Sequence, residues 1–479
     1  MTGQREGALE VWSESRIAAF EGALASIETS QVGGTTHACL GNRITVRGLN
    51  GFVGLGDTCW VHPSPSARNG SETAGRHRDA ILAEVVGFSD EGVNLLTYDP
   101  PEAVSYGSPV RIDRRFNAVR PDLSWRGRVL DALGEAADGG PPLARGAVAY
   151  PVNAPAPPAH DRQLMGGRMR LGVRAMDLFT PCCRGQRLGI FAGSGVGKSS
   201  LMSMMAKGSD ADVMVIGLIG ERGRELQEML NHTLGPEGLE RSVVVAATSD
   251  MSAMMRRRAA HVTLAVAEYF RDCGLEVLCL LDSVTRYAMA LREIHLAAGE
   301  PPTAKGYPPS VFAELPRLLE RAGTGTGNGA GNITGLFTVL VEGDDTNEPV
   351  SDTVRGILDG HVIMDRRIAE AGRFPAIDVL RSVSRSAPGC YSAEERTLVL
   401  RARSLMQAYS EMSELIELGA YRQGSNPRVD EAIRVRPQIE AILAQDLGEG
   451  DAGGDPFEDL ARALAGMPGG GRNVPGGAG

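Results

Sequence analysis

A glycine-rich segment that ends in Lys-Ser is the part of this sequence whose residue types and spacing most directly suggest chemistry. Residues 192–199 read Ala-Gly-Ser-Gly-Val-Gly-Lys-Ser, a Walker A pattern with alanine at its first position. Its glycines let backbone N–H groups turn toward phosphate oxygens, and Lys198 is predicted to reach the β- and γ-phosphates. We therefore predict an ATP site, with Mg²⁺ on the Ser199 hydroxyl, that is formed by Gly193, Ser194, Gly195, Val196, Gly197, Lys198, Ser199 and Ser200.

Two carboxylates downstream supply the remaining groups that phosphoryl transfer needs. The apolar run 277–281 ends in Asp282, which fits the Walker B pattern and predicts a carboxylate that holds Mg²⁺ through water. Glu221 follows the apolar run 213–220. Because ligands of parallel sheets bind at the carboxyl ends of strands, we expect Glu221 beside the phosphates, where it can polarise the attacking water. From the residues alone, a solvated charged turn is the alternative interpretation of Glu221.

The elements that must hold these groups alternate between apolar runs of strand length and longer helical segments. The apolar runs lack polar alternation, which is typical of a parallel sheet covered by helices on both faces. They lie at 186–192, 213–220, 242–247, 277–281 and 334–341. The phosphate loop thus follows a predicted strand and opens a predicted helix, which is the context that a nucleotide-binding loop requires. The predicted fold class is α/β.

Different patterns flank this core. Residues 41–118 contain short β-prone runs between turn residues, which predict a small β-barrel. An apolar stripe at helical spacing predicts a helical region near the C-terminus. The predicted order is an N-terminal helix in 1–30, a β-barrel domain at 31–120, a linker at 121–160, the nucleotide-binding domain at 161–385, a helical domain at 386–447 and a Gly/Ala/Pro-rich tail at 448–479 with a disordered end.

The N-terminal segment carries Ile17, Phe20, Leu24 and Ile27 at helical spacing, which predicts an amphipathic helix. Such a helix either docks on a partner or packs on its own domain, and the residues alone leave both alternatives open.

Composition argues against several other classes of protein. A net charge of −10 disfavours a long surface for nucleic acid. The seven cysteines show no CxxC spacing, so we expect reduced thiols and no zinc site. No apolar run is long enough to span a bilayer, so we expect a soluble protein whose membrane contact comes only through partners.

Several further motifs, read together, resemble those of one family. The segments 185–201, 220–226, 280–294, 306–323, 338–352 and 373–385 are similar to the catalytic subunits of F-type and V-type rotary ATPases. They most closely resemble the type III protein export ATPases, and among these the flagellar branch. The resemblance extends from about residue 40 to 445 and implies a RecA-like P-loop core between an N-terminal β-barrel and a C-terminal helical domain.

The resemblance also implies roles for individual residues. Glu221 matches the glutamate that activates water, Arg222 matches an arginine near the γ-phosphate, and Glu225 is similar to an acidic residue near the water shell of the metal. Arg385 matches the arginine finger that enters the site of a neighbouring subunit. The catalytic set implied is therefore Glu221, Lys198, Arg222 and Arg385, and the metal set is Ser199, Asp282 and Glu225.

Two aromatic residues are expected at the adenine base. Phe374 occupies the position of an aromatic that stacks on adenine in this family. Tyr421 is a candidate for a second aromatic at the base, and a tyrosine of the helical domain core is the alternative interpretation.

The function implied is ATP hydrolysis by a homohexameric ring that drives protein export by a flagellar type III apparatus. Alternatives are an injectisome secretion ATPase, a Rho-like RNA-translocating ATPase, a non-catalytic ring subunit or a synthase β subunit. Expected partners are a stator-like regulator at the N-terminal helix, a central stalk protein, export-gate membrane proteins and chaperone–substrate complexes. The expected location is the cytoplasm, peripheral to the inner face of the membrane.

Two segments depart from the family pattern. Residues 323–332 are richer in glycine than the family pattern and predict a flexible surface loop. The tail beyond Gly448 has no counterpart that the resemblance identifies.

Overall fold

A computed structural model of the protein describes residues 32–63, 80–102, 104–193, 195–327, 329–341, 348–447 and 454–466. The predicted N-terminal helix and Ser194 lie outside the described residues. The chain divides into two compact units, Met1–Arg114 and Arg115–Gly479, and each is described by itself. In the described ranges no helix has the length and apolar character needed to cross a membrane.

The first unit contains a closed six-stranded β-barrel, as the turn-separated runs predict. Its inner face is apolar and fully buried at Ile44, Val46, Leu95 and Val110. The first strand was not predicted, because its sequence GGTTHACL has few apolar residues and no clear alternation. The strands are β1 Gly33–Leu40, β2 Arg43–Arg47, β3 Thr58–Val61, β4 Ile81–Ser89, β5 Gly92–Thr97 and β6 Pro109–Ile112.

The second unit is built on a nine-stranded sheet that confirms the predicted α/β fold class. The strand order is β19-β18-β12-β17-β15-β13-β14-β8, with β16 paired to β17. The β18–β19 and β16–β17 pairs are antiparallel, and the other pairs are parallel. Its strands are β8 Val129–Leu130, β12 Arg187–Ala192, β13 Val213–Ile219, β14 Ser242–Ala247, β15 Val277–Asp282, β16 Gly323–Thr324, β17 Asn332–Leu340, β18 Gly360–Met364 and β19 Ile377–Ser384. Short pairs outside this sheet are β7 Ala118–Val119 with β9 Tyr150–Pro151, and β10 Arg168–Met169 with β11 Cys182–Cys183.

Helices cover the faces of the sheet and form the C-terminal region. Two clusters of buried apolar side chains hold the helices to the sheet, one of which includes the C-terminal helices. The helices are α1 Arg174–Phe179, α2 Lys198–Gly208, α3 Gly223–Glu228, a π-helical turn Met229–Leu234, α4 Gly235–Glu240, α5 Ala253–Asp272, α6 Val284–Ala298, α7 Pro309–Leu319, α8 Pro349–Ile357, α9 Arg366–Glu370, α10 Ala387–Cys390, α11 Ala393–Glu417, α12 Pro427–Leu443 and α13 Pro456–Leu464. Short 3₁₀ turns occupy Arg114–Asn117, Leu123–Trp125, Ala159–Asp161 and Ala304–Gly306.

The segment predicted as a linker, 121–160, contributes a strand to the central sheet. Val129 and Leu130 pair in parallel with Val244 and Val245 of β14. Further along, the carbonyl of Val152 accepts a 2.6 Å hydrogen bond from the buried Arg321 guanidinium. The segment is therefore hydrogen-bonded to the nucleotide-binding domain near both of its ends.

Two other expectations need correction. The glycine-rich segment 323–332 is a hairpin base, because Gly323 and Thr324 pair with Ile333 and Asn332 of β17. The tail contains α13, whose Phe457, Leu460 and Leu464 are buried in the C-terminal helical cluster. This short helix was not predicted, because glycine and alanine dominate the composition of the tail and only the spacing of a few apolar residues indicates a helix.

The cysteines also differ from the expectation of free thiols. Cys183 and Cys390, which are 207 positions apart in the chain, form a disulfide with an S–S distance of 2.13 Å. Sequence spacing carries no signal for this pair, because only the packing of α10 against β11 brings the two residues together. The other cysteines of the described chain, Cys39, Cys59, Cys182, Cys273 and Cys279, are free.

Candidate nucleotide site

The phosphate loop joins the C-terminal end of β12 to the N-terminal end of α2. Gly195 and Gly197 have φ values of 78° and 92°, which side chains other than glycine rarely adopt. Val196 is buried and anchors the loop on the core. Lys198, Ser199 and Ser200 follow as the first turn of α2. Orphan N–H groups of that turn point toward the loop, which is the arrangement that binds phosphate.

Lys198 lies between the two predicted carboxylates. Its Nζ is 2.5 Å from Oδ1 of Asp282 and 3.5 Å from Oε1 of Glu221. Asp282 is 2% exposed at the end of β15, and the Thr338 hydroxyl of β17 donates a 2.6 Å hydrogen bond to its Oδ1. Glu221 follows the end of β13, which neighbours β15. Three sequence-predicted groups therefore meet at one edge of the sheet.

Burial is the main influence on the protonation of Glu221. Desolvation raises the pKa of its carboxyl above the ordinary range, and a hydrogen bond with Glu225 of α3 raises it further. The positive charge of Lys198 opposes this shift. The same hydrogen bond lowers the pKa of Glu225. The pair thus favours a proton on Glu221 and a negative charge on Glu225, and a raised pKa is typical of a carboxylate that accepts protons near neutrality.

These groups line a cavity of about 790 Å³, a volume within the range of small-molecule sites. Arg222 and Glu225 line it. Two arginines that were not predicted also line it, Arg286 and Arg366. The remaining lining residues are Gly193, Gly195, Gly197, Lys198, Ser199, Ser200, Leu218, Glu221, Leu226, Glu228, Met229, Thr233, Asp282, Leu340 and Val341.

Arg286 could have been found from the sequence, and Arg366 could not. Arg286 lies four residues after Asp282, in the first turn of α6, and its Nε is 3.6 Å from Oε1 of Glu221. A basic residue one helical turn beyond a Walker B aspartate is a usable signal. Arg366 reaches the cavity from α9 only because β18 is hydrogen-bonded to β12. Thr338 was also missed, since a threonine inside a buried strand carries no special pattern.

The donor set at the phosphate loop fits Mg²⁺. Asp282 offers carboxylate oxygens and Ser199 a hydroxyl oxygen, which are the hard ligands that Mg²⁺ prefers, with water and phosphate oxygens completing its shell.

The two aromatic candidates occupy different places. A Cβ atom on Gly197 would lie 3.6 Å from Cδ1 of Phe374, so the Phe374 ring lies beside the phosphate loop, and 46% of the residue is exposed. Tyr421 instead lies in the turn before α12, where its single hydroxyl proton is shared between two acceptors, the Asn426 carbonyl and Oδ1 of Asp430, at 3.1 and 3.0 Å. Neither Phe374 nor Tyr421 is among the residues that line the described cavity, but only Phe374 lies beside the phosphate loop. The local contacts of Tyr421 favour its alternative interpretation as part of the helical domain.

Arg385 lies at the opposite end of the sheet from the phosphate loop of its own subunit. β12 and β18 run in parallel, with Ala192 beside Met364, whereas β19 returns antiparallel and pairs Ile377 with Met364 and Ser384 with Gly360. The eight residues of β19 span roughly 25 Å at the usual rise per residue. Arg385 therefore cannot reach this cavity, and its exposed guanidinium makes no hydrogen bond or ion pair with any residue that the structure describes.

Comparison with known proteins gives matches to two domain families that adjoin along the chain. The nucleotide-binding domain of the ATP synthase alpha/beta family matches residues 172–384. The C-terminal domain of the T3SS EscN ATPase matches residues 391–464, which include α13. The family pattern therefore extends into the segment that was predicted to be a tail.

Individual relatives match most of the chain. The flagellum-specific ATP synthase of Caulobacter vibrioides is 58% identical over 388 residues, which cover 80% of this chain and 87% of that protein. The type 3 secretion system ATPase of Xanthomonas euvesicatoria is 45% identical over 433 residues, covering 89% and 92%. The assembled ATPase EscN from the enteropathogenic E. coli type III secretion system superposes with a TM-score of 0.81 at 36% identity, over 90% of this chain and 100% of that chain. At this identity and coverage, the chain is an ATPase that belongs to the family of flagellum-specific ATP synthases and type III secretion ATPases.

Proposed function

We propose that the protein hydrolyses Mg²⁺–ATP in a homohexameric ring whose sites are completed between subunits, and that this activity drives flagellar protein export. The observation that carries the proposal is the separation of two catalytic features within one chain. Lys198, Glu221 and Asp282 meet at one end of the sheet, and Arg385 projects at the other.

Within one site, basic residues bind the phosphates, and carboxylates hold the metal and accept a proton. Lys198 and the N–H groups of the loop hold the triphosphate, with Gly193 through Ser200 around it. Ser199 and Asp282 would hold Mg²⁺, with Glu225 beside its water shell, and the metal would neutralise charge on the β- and γ-oxygens. Glu221 accepts the proton of the attacking water, and its raised pKa suits that task. Arg222 and Arg286 face the developing negative charge on the transferred group.

A ring is expected because the cavity of one chain does not contain the Arg385 of that chain. An arginine that stabilises the transferred phosphoryl group is worth about 10³–10⁵ in rate. Arg385 is exposed and remote from its own cavity, so it can act only in a neighbouring subunit. Closed rings with head-to-tail contacts give every subunit one such neighbour.

Mixing two inactive variants tests this arrangement directly. Glu221→Gln subunits keep Arg385, and Arg385→Ala subunits keep Glu221. In mixed rings, a site of an Arg385→Ala subunit that faces a Glu221→Gln neighbour regains both groups, so we expect up to about a quarter of full activity from random closed assembly.

The control replaces the Arg385→Ala partner with the double variant Glu221→Gln/Arg385→Ala, which restores no complete site. Native mass spectrometry would verify that the variants assemble together. Rings that contain both single variants and still show no ATPase activity would overturn the shared-site proposal.

The flagellar branch is supported by the higher identity to the Caulobacter flagellum-specific protein, 58%, than to the Xanthomonas secretion ATPase, 45%. An EscN complex with its central stalk EscO supports a stalk partner for this ring as well. We further propose a stator-like regulator at residues 1–30, and export-gate proteins and chaperone–substrate complexes at the inner face of the cytoplasmic membrane. Export of flagellar subunits by a deletion strain that carries Glu221→Gln should fail; normal export would contradict the assignment.

A further inference from the structure

The loop that carries Phe374 is hydrogen-bonded to the C-terminal helical region. The backbone N–H of Gln445, just after α12, donates a 2.8 Å hydrogen bond to the carbonyl of Phe374. That carbonyl belongs to the residue whose ring lies beside the phosphate loop. A backbone bond of this kind fixes the position of the loop without any contribution from the ring itself.

A second link joins the preceding residue to α12. Nε of Arg373 lies 3.0 Å from Oε2 of Glu440, and the Arg373 side chain is only 12% exposed. The same guanidinium donates a 2.7 Å hydrogen bond to the carbonyl of Ile377, at the start of β19. Arg373 thus bridges the loop, the sheet and α12, with Glu440 as its acidic partner.

The end of α12 is itself tied to the nucleotide-binding domain. The Gln445 side chain accepts a 2.9 Å hydrogen bond from the backbone N–H of Arg174 and donates a 2.9 Å bond to the carbonyl of Gly172. Nε of Arg174 donates to the carbonyl of Ile442 at 2.9 Å. Gln445 is buried, so these bonds are shielded from water.

We infer that Glu440 and Gln445 are positioning residues that hold the Phe374 ring in place for stacking on the base of the nucleotide. The inference rests on the proposed nucleotide site and on the position at adenine that the family resemblance implies for Phe374. A half-exposed ring on a loop must be immobilised when it stacks, and a loop that is already fixed avoids that entropic cost on binding. Neither Glu440 nor Gln445 lines the described cavity, and the bonds described above join both residues to the loop that carries Phe374. The C-terminal region thereby sets affinity for the base, with no direct part in phosphoryl transfer.

The decisive comparison uses two glutamates on the same helix. Glu440→Gln removes the charge that holds Arg373, while Glu431→Gln removes a charge that pairs with Arg401 of α11 at 2.6 Å. Binding of ADP to each full-length variant would be measured by calorimetry, with inorganic tripolyphosphate as a ligand that lacks the base.

For Glu440→Gln we expect about threefold weaker ADP binding, the size of a partly exposed ion pair. Tripolyphosphate binding and kcat should stay unchanged, as should both affinities of Glu431→Gln. Gln445→Ala provides a second variant, for which we also expect weaker binding of ADP and unchanged binding of tripolyphosphate. ADP and tripolyphosphate affinities that fall together, or an ADP affinity equal in Glu440→Gln and Glu431→Gln, would overturn the inference.

Phe374→Ala separates this inference from the proposed base site. Its ADP affinity should fall by about 5- to 100-fold, as when a stacked base loses its aromatic partner. In that background Glu440→Gln should cause no additional loss, because the ring that it positions is gone. A loss in Phe374→Ala without any in Glu440→Gln or Gln445→Ala overturns the positioning role alone; no loss in Phe374→Ala overturns the base site as well.

Discussion

Two basic residues at opposite ends of the central sheet, Lys198 and Arg385, have contrasting surroundings. At the carboxyl ends of β12, β13 and β15, two carboxylates lie within 3.5 Å of Nζ of a lysine, and the three side chains are mostly buried. At the other end of the sheet, β19 terminates beside Gly360, and Arg385 is exposed. One end holds the lysine–carboxylate cluster, whereas at the other Arg385 is exposed without a described partner, next to Arg187, which is paired with Asp359 and Glu320.

This difference explains why both ends belong to one reaction. A buried cluster is rigid and can bind a triphosphate in a fixed geometry, because its charges are already paired and oriented. An exposed arginine is of little use to its own fold, since a lone surface charge contributes almost nothing to stability. It is suited instead to entering another molecule's site, where desolvation strengthens its interaction with phosphate.

The largest expected effect is at the exposed end. Arg385→Ala should lower kcat by about 10³–10⁵ while leaving ADP affinity and thermal stability unchanged, since the guanidinium has no described partner in its own chain. Arg385→Lys should recover only part of the rate, because lysine lacks the planar fork that binds two phosphate oxygens. Steady-state kinetics on the assembled protein would measure this. A variant that unfolds at lower temperature would show that Arg385 has a structural role in its own subunit.

At the clustered end, Glu221→Gln should lower kcat by about 10²–10⁴, the range for loss of a general base. ATP should still bind, because Lys198 and the loop remain. Equilibrium binding of ATP and single-turnover hydrolysis would separate the two properties. Unchanged hydrolysis would remove Glu221 from the proton-transfer step and leave the water to another group.

A smaller effect is expected on the pH dependence of kcat/KM. Glu221 must be ionised to accept a proton. We therefore expect kcat/KM to be at its maximum above the pKa of Glu221 and to decline as the pH falls through that pKa. Burial and the Glu225 hydrogen bond raise that pKa, which places the acid limb above the range of an ordinary glutamate. Glu225→Gln should move the limb to lower pH, since one cause of the raised pKa is lost. A limb that moves to higher pH, or stays fixed, would contradict the coupling of these two residues.

The smallest effect is expected at Tyr421, away from both ends. Tyr421→Phe removes hydrogen bonds to Asn426 and Asp430 and should cost about 1 kcal/mol of stability, or about 2 °C in melting temperature. ADP affinity should equal that of the unaltered protein. Weaker ADP binding would return Tyr421 to the base site.

The sequence predicts the clustered end well, because its signals are local. Glycines, Lys198 and Asp282 each stand next to an apolar run whose length marks a strand, and parallel strands bring their carboxyl ends together. The strands β12, β13, β14, β15 and β17 were identified for the same reason.

What could not be predicted depends on contacts between segments distant in the chain. The strand β8 has two residues, too few for any periodic pattern, and is defined only by its pairing with β14. The strands β18 and β19 were not identified from the sequence. Because their antiparallel pairing places Arg385 at the far end of the sheet, that position could not be predicted either. The links from Glu440 and Gln445 to the Phe374 loop arise from ordinary polar residues whose spacing suggests only a helix and a turn.

The pairing of β8 has a mechanical consequence. A glycine-rich linker that packs on nothing behaves as a flexible coil and absorbs displacement by changing its end-to-end length. Here Val129 and Leu130 are bonded along the edge of β14, and Arg258 and Arg321 hold the carbonyls of Ala132 and Val152. A load applied to this segment would have to shear several hydrogen bonds at once, so it would be transmitted stiffly to the strands that hold the nucleotide.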